Sequence, residues 1–360
     1  MNDCCPRLVT ITALILVAAA AGGCQYPIPV QTQFQGTTQS DVRGEIAVKL
    51  PNAADPGPIV GTAVRPCRSA NPAPRVAVID VDGLLLNQNT DGMLGSGENP
   101  VAVFREKLMA ASADGQVAAV VLRIHSPGGG VTACDIMADE LERFKLCTRK
   151  PTVASLMDVA TSGAYYLAIG ADRVVAQPTA ITGGIGAIFN HVNLQDAMAQ
   201  LNVLSDPVKA GSRIDMGSVA GPIDPDTRAL FQEMAGEFHQ RFLKRVARRR
   251  PGMTEDDRRV LGDGRIVSAP QALRLHLVDR LGTLHDAIQE AEGIAGVADA
   301  EVVIYHRAGT PARSLYAISP GPPRLSDAIP LSYPGLDRTK LPTFLYLWQP
   351  DPTIPRTSPR

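Results

Sequence analysis

The sequence predicts an α/β fold with right-handed crossovers, and three observations carry that expectation. Short strand-like runs alternate with helical runs: Val76–Val81, Val117–Ile124, Thr152–Met157 and Arg173–Ala176 against Val101–Ala111, Val131–Cys147 and Gly163–Gly170. Val117–Ile124 is apolar except for Arg123, as expected of a strand covered on both faces of a parallel sheet. The 360 residues are 45% hydrophobic and 20% charged, enough to bury a sizeable core. A net charge of −1 leaves no electrostatic case for nucleic acid as a partner.

The chain opens on a targeting segment. Leu8–Ala21 is apolar apart from Thr10 and Thr12 and follows Arg7, which suits the apolar region of a signal peptide and is short for a membrane span. Ala21-Gly22-Gly23-Cys24 closes it and resembles a bacterial lipobox, so residues 1–23 read as a lipoprotein signal peptide and Cys24 as a lipidation site. An ordinary signal peptide with a chance cysteine is the plainer alternative. Gln25, where an aspartate would favour inner-membrane retention, leans the expected location to the periplasmic face of the outer membrane. Residues 24–75 carry Pro27, Pro29, Pro51, Pro56, Pro58, Pro66, Pro72 and Pro74 and read as a tether, with one short strand at Glu45–Leu50.

Order is expected from Val76. Asp82-Gly83 reads as a turn, and Phe104 and Leu108 share one face of the first helix. Cys67, Cys134 and Cys147 lie beyond the leader. Cys134 and Cys147 flank one helix, whose rise of about 20 Å between them exceeds disulfide reach, so buried free thiols are expected. No metal-ligand spacing is visible. Asp226–Arg250 reads as a long helix whose basic end, Arg245-Val-Ala-Arg-Arg-Arg250, suits a helix C-terminus better than a lipid surface. Residues 306–360 are proline-rich, and Phe344-Leu-Tyr-Leu-Trp348 is an apolar anchor expected to dock on the body.

Two stretches carry chemistry. Ser162 sits between the strand at Thr152–Met157 and the helix from Gly163. A strand-to-helix turn there would lift its hydroxyl out of the packed layer and aim the next N–H groups at the same point, as a nucleophile requires. The competing reading is a helix cap. Ser126-Pro-Gly-Gly-Gly130 follows a buried strand. Its glycines let backbone approach a ligand, and their N–H groups can converge on an anion. The loop lacks the Lys-Ser/Thr of a phosphate loop and the spacing of a dinucleotide fingerprint, which leaves an oxyanion hole or a plain tight turn.

Together the motifs resemble the signal peptide peptidase A family, serine peptidase family 49, of the Clp protease/crotonase superfamily. The resemblance runs from about Val76 to Ala291. It rests on Ser126-Pro-Gly-Gly-Gly130, Ala160-Thr-Ser-Gly-Ala-Tyr-Tyr166, Ala171-Asp-Arg173, Thr182-Gly-Gly-Ile-Gly186, Val208-Lys-Ala-Gly-Ser212, Asp263-Gly-Arg265, Gln271-Ala272, Leu277-Val-Asp279 and Leu281-Gly282. It implies repeated β-β-α units, a mostly parallel sheet flanked by helices, and a peptidase domain at 76–305. It also implies cleavage of signal-peptide remnants or other membrane-derived peptides by a serine/lysine dyad without a cofactor. By the resemblance Ser162 takes the nucleophile's position, the N–H groups of Gly129 and Gly163 receive the oxyanion, and Gly128 supports them.

The sequence departs from the family at the base. Counting on from Lys209-Ala-Gly211, the lysine's position is Ile214, and the serine that helps orient the lysine is Gly184. Arg213 stays protonated, and Lys209, at an odd offset in an extended segment, faces the other way. His125 and His191 are candidate substitute bases, each also readable as an ordinary hydrogen-bonded histidine. The resemblance allows a dyad shared between protomers, so it implies a homo-oligomeric ring or a hetero-oligomer with an active paralogue that donates the lysine. The alternative is a non-catalytic scaffold or peptide-binding subunit.

Overall fold

The computed structural model describes residues 57–67, 72–89, 91–92, 95–96, 98–309, 312–317 and 345–348. The leader, Cys24, the short strand expected at Glu45–Leu50 and most of the C-terminal tail lie outside the described residues.

The main sheet contains β1 (Ile59–Arg65), β2 (Arg75–Leu85), β5 (Val117–Gly130), β6 (Thr152–Thr161), β7 (Arg173–Ala176), β8 (Ile181–Gly183), β9 (Ile266–Ser268), β10 (Arg280–Leu281), β11 (Glu301–Arg307) and β12 (Leu345–Leu347). A separate ribbon pairs β3 (Asp91–Gly92) with β4 (Gly95–Ser96). The helices are α1 (Pro100–Ala113), α2 (Val131–Thr148), α3 (Gly163–Ala168), α4 (Gln195–Gln200), α5 (Pro225–Arg249), α6 (Glu255–Leu261), α7 (Ala269–Arg274) and α8 (Leu284–Ala295).

The spine runs β1-β11-β2-β5-β6-β7-β10, parallel from β11 onward, with β1 antiparallel at the edge. Side chains alternate between two cores, as a pleated strand buried on both faces requires. Val120, Leu122 and Ile124 of β5 pack with α1, α2 and α3, whereas Ala119 and Val121 pack with Leu284, Ala287, Ile288 and Ala291 of α8. The expected α/β architecture is therefore the observed one.

Several boundaries differ from expectation, each for a reason of pairing. The proline-rich stretch read as tether contains β1, because Ile59–Arg65 finds a partner in β11, whose own end at Arg307 lies past the expected domain limit of 305. Asp82-Gly83 does not end its strand, since Leu84 and Leu85 go on to pair with Gly128 and Gly129. The glycine stretch is for the same reason the last part of β5, held by β2 on one side and β12 on the other. Only Cys134 of the three described thiols is buried; Cys67 is half-buried and Cys147 exposed.

The basic end of α5 faces inward. Arg245 is buried, lies 4.6 Å over the Tyr166 ring and donates to the Tyr166 carbonyl at 3.0 Å. Arg249 pairs with Glu142, and Arg250 with Asp279 at 2.9 Å. These arginines fasten α5 to the sheet domain, which absorbs a run that could otherwise suggest a lipid surface.

Candidate active site

The site forms where the sheet divides. The first half of β6, Val153–Leu156, pairs with β7, and its last residues, Val159–Thr161, pair with β8. Ser162 follows at once, at φ 53° and ψ −117°. A non-glycine residue there sits outside the allowed regions for an L-amino acid, at a cost of about 1–3 kcal/mol. It accepts no role as a helix cap: no side-chain capping hydrogen bond forms at the start of α3. The strained turn is held from both sides, by Ser162 N–H donating to the Gly183 carbonyl at 2.7 Å and by Tyr166 N–H donating to the Ser162 carbonyl at 2.9 Å. This is the geometry of a nucleophile elbow, in which the chain turns sharply so that one hydroxyl stands proud of the sheet.

The glycine strand is pressed against this turn. A Cβ on Gly128, where φ is +104°, would stand 2.8 Å from the Gly163 nitrogen, so the strand and the start of α3 meet backbone to backbone. A Cβ on Gly129 would stand 2.0 Å from the Leu85 carbonyl oxygen, and one on Gly163 would stand 2.3 Å from Cys134 Sγ. Gly130 is not under that pressure: a Cβ there meets nothing nearer than 3.8 Å. Ser126, whose part the sequence did not reveal, ties the strand in place. Its hydroxyl donates to the Gly83 carbonyl at 2.6 Å and accepts from Gly128 N–H at 3.1 Å. Thr161 adds a bond from its hydroxyl to the Pro127 carbonyl at 3.3 Å.

Around the turn the titratable side chains are kept neutral or paired. Burial pushes the Tyr166 hydroxyl up to about 12, helped by its hydrogen bond to Asp135, so it is a proton donor and not a base. Burial also raises the Cys134 thiol, which stays protonated. Gly184, at φ +67°, lies against Ser162, since a Cβ on it would stand 3.3 Å from the Ser162 nitrogen.

The candidate bases lie elsewhere. His125 is exposed and stands opposite Asp82 in the β2–β5 register. His191 Nε2 bonds the Ser218 carbonyl at 2.9 Å. Lys209 Nζ is paired with both carboxylate oxygens of Asp215, at 2.9 and 2.8 Å. Ile214 is 74% exposed, on a stretch with exposed Val203, Leu204 and Val208. Among the described residues no hydrogen bond joins Ser162 to a histidine or lysine.

A buried strand ending in a strained serine, beside a strand of glycines, defines a serine hydrolase of the α/β class. The sequence profile of peptidase family S49 matches residues 145–298. A protein of Methanocaldococcus jannaschii named as a protease is 31% identical over 215 residues, 60% of this chain and 68% of that protein. One named as a signal peptide peptidase SppA, from Enterococcus faecium, is 27% identical over 64% of this chain and 67% of its own length. Protease 4 of Salmonella typhi is 31% identical over 61% of this chain and 34% of its own, longer, sequence. The chain belongs to peptidase family S49, a family of serine peptidases.

Proposed function

We propose that this chain is a peptidase of the signal peptide peptidase A type, anchored at the periplasmic face of a bacterial membrane through lipidated Cys24, which cleaves signal-peptide remnants or other membrane-derived peptides. Ser162 is the nucleophile. Its hydroxyl attacks the peptide carbonyl, and the N–H groups of Gly129 and Gly163 receive the oxyanion, each such donor being worth about 2.7–4 kcal/mol in serine enzymes. The observation that carries this reading is the backbone of Ser162, φ 53° and ψ −117°, a strain without structural use at a plain helix start.

The base comes from a second chain. Ile214 cannot take a proton, and the described histidines and Lys209 are engaged with other groups. The exposed apolar stretch carrying Ile214 suits contact with a neighbouring protomer, in a ring of this chain or beside a paralogue with the lysine intact. A non-catalytic peptide-binding subunit is the second reading, favoured by the loss of both the lysine and the serine at position 184.

Turnover of a small ester separates them. The isolated chain is expected to be slow, because general-base help is typically worth about 10²–10⁴-fold. Mixing with a lysine-bearing paralogue should raise turnover, and Ser162→Ala in this chain should remove the part that this chain contributes. If turnover in the mixture is indifferent to Ser162→Ala, this chain is a scaffold. If the isolated chain is already fast and Ser162→Ala stops it, a base within the chain exists, and His125 and His191 are the residues to replace. Lipid labelling of wild type and Cys24→Ala tests the anchor, and equal label in both would rule it out.

A further inference from the structure

β12 lies on the candidate site. Leu345 stands opposite Gly130, Tyr346 opposite Gly129 and Leu347 opposite Gly128, antiparallel to the glycine strand. Trp348 N–H donates to the Pro127 carbonyl at 3.0 Å. On its other edge Leu345 exchanges two backbone hydrogen bonds with Ile188, both 2.9 Å. A three-residue piece of the tail is thus clamped between two strands, in the way an extended peptide is added to a sheet.

Its register places one carbonyl at the reacting point. Bonded pairs alternate along an antiparallel ladder, so with Trp348 bonded to Pro127 the next bonded pair is Tyr346 with Gly129. The Tyr346 carbonyl therefore faces the Gly129 amide. It also lies close to the other glycines: a Cβ on Gly128 would stand 2.0 Å from it and a Cβ on Gly163 3.0 Å from it. The side chain of Tyr346 is wholly buried. Its ring centre is 5.3 Å from that of Tyr166 and 4.9 Å from that of Phe242, and its hydroxyl donates to the Phe238 carbonyl at 2.6 Å.

We infer that Leu345–Trp348 is a resident occupant of the peptide cleft, and that the pocket holding Tyr346 selects the side chain on the acyl side of the scissile bond, with tyrosine its best fit. The inference rests on the reading of Ser162, Gly129 and Gly163 as the reacting site. The pocket's chemistry sets the preference: two aromatic walls take a ring, and the Phe238 carbonyl takes a hydroxyl proton that phenylalanine cannot supply. A substrate binds only to the fraction of molecules whose tail has left, so its apparent affinity is reduced by that fraction.

The test is a binding measurement on the full chain and does not depend on turnover. Trp348 is the sole tryptophan of the sequence, so its emission reports the tail alone. The probe is the blocked peptide Phe-Leu-Tyr-Leu-Gln, which carries no tryptophan. It should shift Trp348 emission to the red, saturably. The same peptide with phenylalanine for tyrosine should bind up to about tenfold more weakly, and with alanine should give no saturation at accessible concentrations. Tyr346→Ala in the protein should bind a labelled copy of the probe at least about tenfold more tightly than wild type does. Tyr346→Phe, which keeps the ring, should do so by a few-fold and covers the case in which the alanine variant fails to fold. Equal affinity for wild type and both variants, or a bound probe that leaves Trp348 unchanged, overturns the inference. Those outcomes leave the peptidase reading standing, while absence of Ser162-dependent ester turnover would sink that reading and leave the peptide cleft intact.

Discussion

Ser162 is 1% exposed and locked by backbone bonds from β8 and α3, whereas Ile214 is 74% exposed on the stretch between α4 and α5. The nucleophile's surroundings are glycines that a single methyl group would overfill. Around Ile214 the apolar side chains Val203, Leu204 and Val208 point to solvent, and nothing lies within 4 Å of where a Cβ on Gly211 or Gly221 would stand. One half of the family's dyad is thus built into the core of this chain. The other half occupies a surface that a lone protomer does not complete. A core position is fixed by packing inside one molecule, while a surface position acquires its environment only from what covers it.

The sharpest way to break this comparison is to restore the lysine. An exposed amine keeps its proton and is no base, so Ile214→Lys should leave ester turnover of a dilute monomer unchanged. At concentrations where protomers associate it should raise turnover by about 10²–10⁴-fold, a gain removed by Ser162→Ala. Sedimentation alongside the assay fixes the concentration scale. A gain in the monomer would mean that Ile214 reaches its own Ser162. Adding Gly184→Ser should raise the gain further by orienting the amine, although φ +67° makes any side chain there strained by about 1–2 kcal/mol.

Glycine replacements measure the same contrast in stability. Gly129→Ala forces a methyl group onto Leu85 backbone and should cost about 3 kcal/mol or more in denaturant unfolding. Gly221→Ala, in open space and without a positive φ, should be neutral or stabilising by up to about 1 kcal/mol. Comparable losses at both positions would erase the distinction between the two regions.

Ser162→Gly should sharpen it further. Glycine tolerates φ 53°, so the substitution should remove activity while raising stability by about 1 kcal/mol. A lower midpoint than wild type would show that the turn carries no strain.

The smallest effect concerns acid. Against the burial that opposes ionisation, Lys145 and the Thr152 amide and hydroxyl hold the Asp172 carboxylate below its ordinary value of 3.8. A depressed folded-state value contributes stability above the ordinary value that is lost as pH falls through the lower one. Asp172→Asn should therefore flatten the fall in melting temperature below about pH 4. Asp215, depressed by its bond to Lys209 on the exposed stretch, should show no measurable change on Asp215→Asn.

Much of this was legible from local pattern. Arg173–Ala176 is the strand expected, and the alternating cores follow from continuous apolar runs such as Val120–Ile124. Ser162 was legible as a turn residue, but its φ and ψ were not, because they depend on Gly183 and Gly184 arriving from β8. The partners of the glycine strand were hidden for a similar reason. Leu85 follows what reads as a turn, and Tyr346 is 217 residues beyond Gly129 (346 − 129 = 217) in a proline-rich tail. The apolar anchor at Phe344–Trp348 signalled that the tail docks, yet no local pattern says where. The inward-facing arginines of α5 were invisible too, since Glu142, Asp279 and the Tyr166 ring come from three separate elements.

The order of strands also sets a timetable. β11 occupies the slot between β1 and β2, so Ile59–Arg65 has no sheet partner until residue 307 has been made. That is 242 residues after Arg65 (307 − 65 = 242), about 12–50 s of synthesis at roughly 5–20 residues per second. Throughout that interval the β2 edge, bearing Val76 and Val78, is an open template for a stranger's strand. A chain released early, or truncated before β11, keeps that edge uncovered. The hazard to the growing molecule is therefore aggregation through β2, and it ends only when the last parallel strand slides into place.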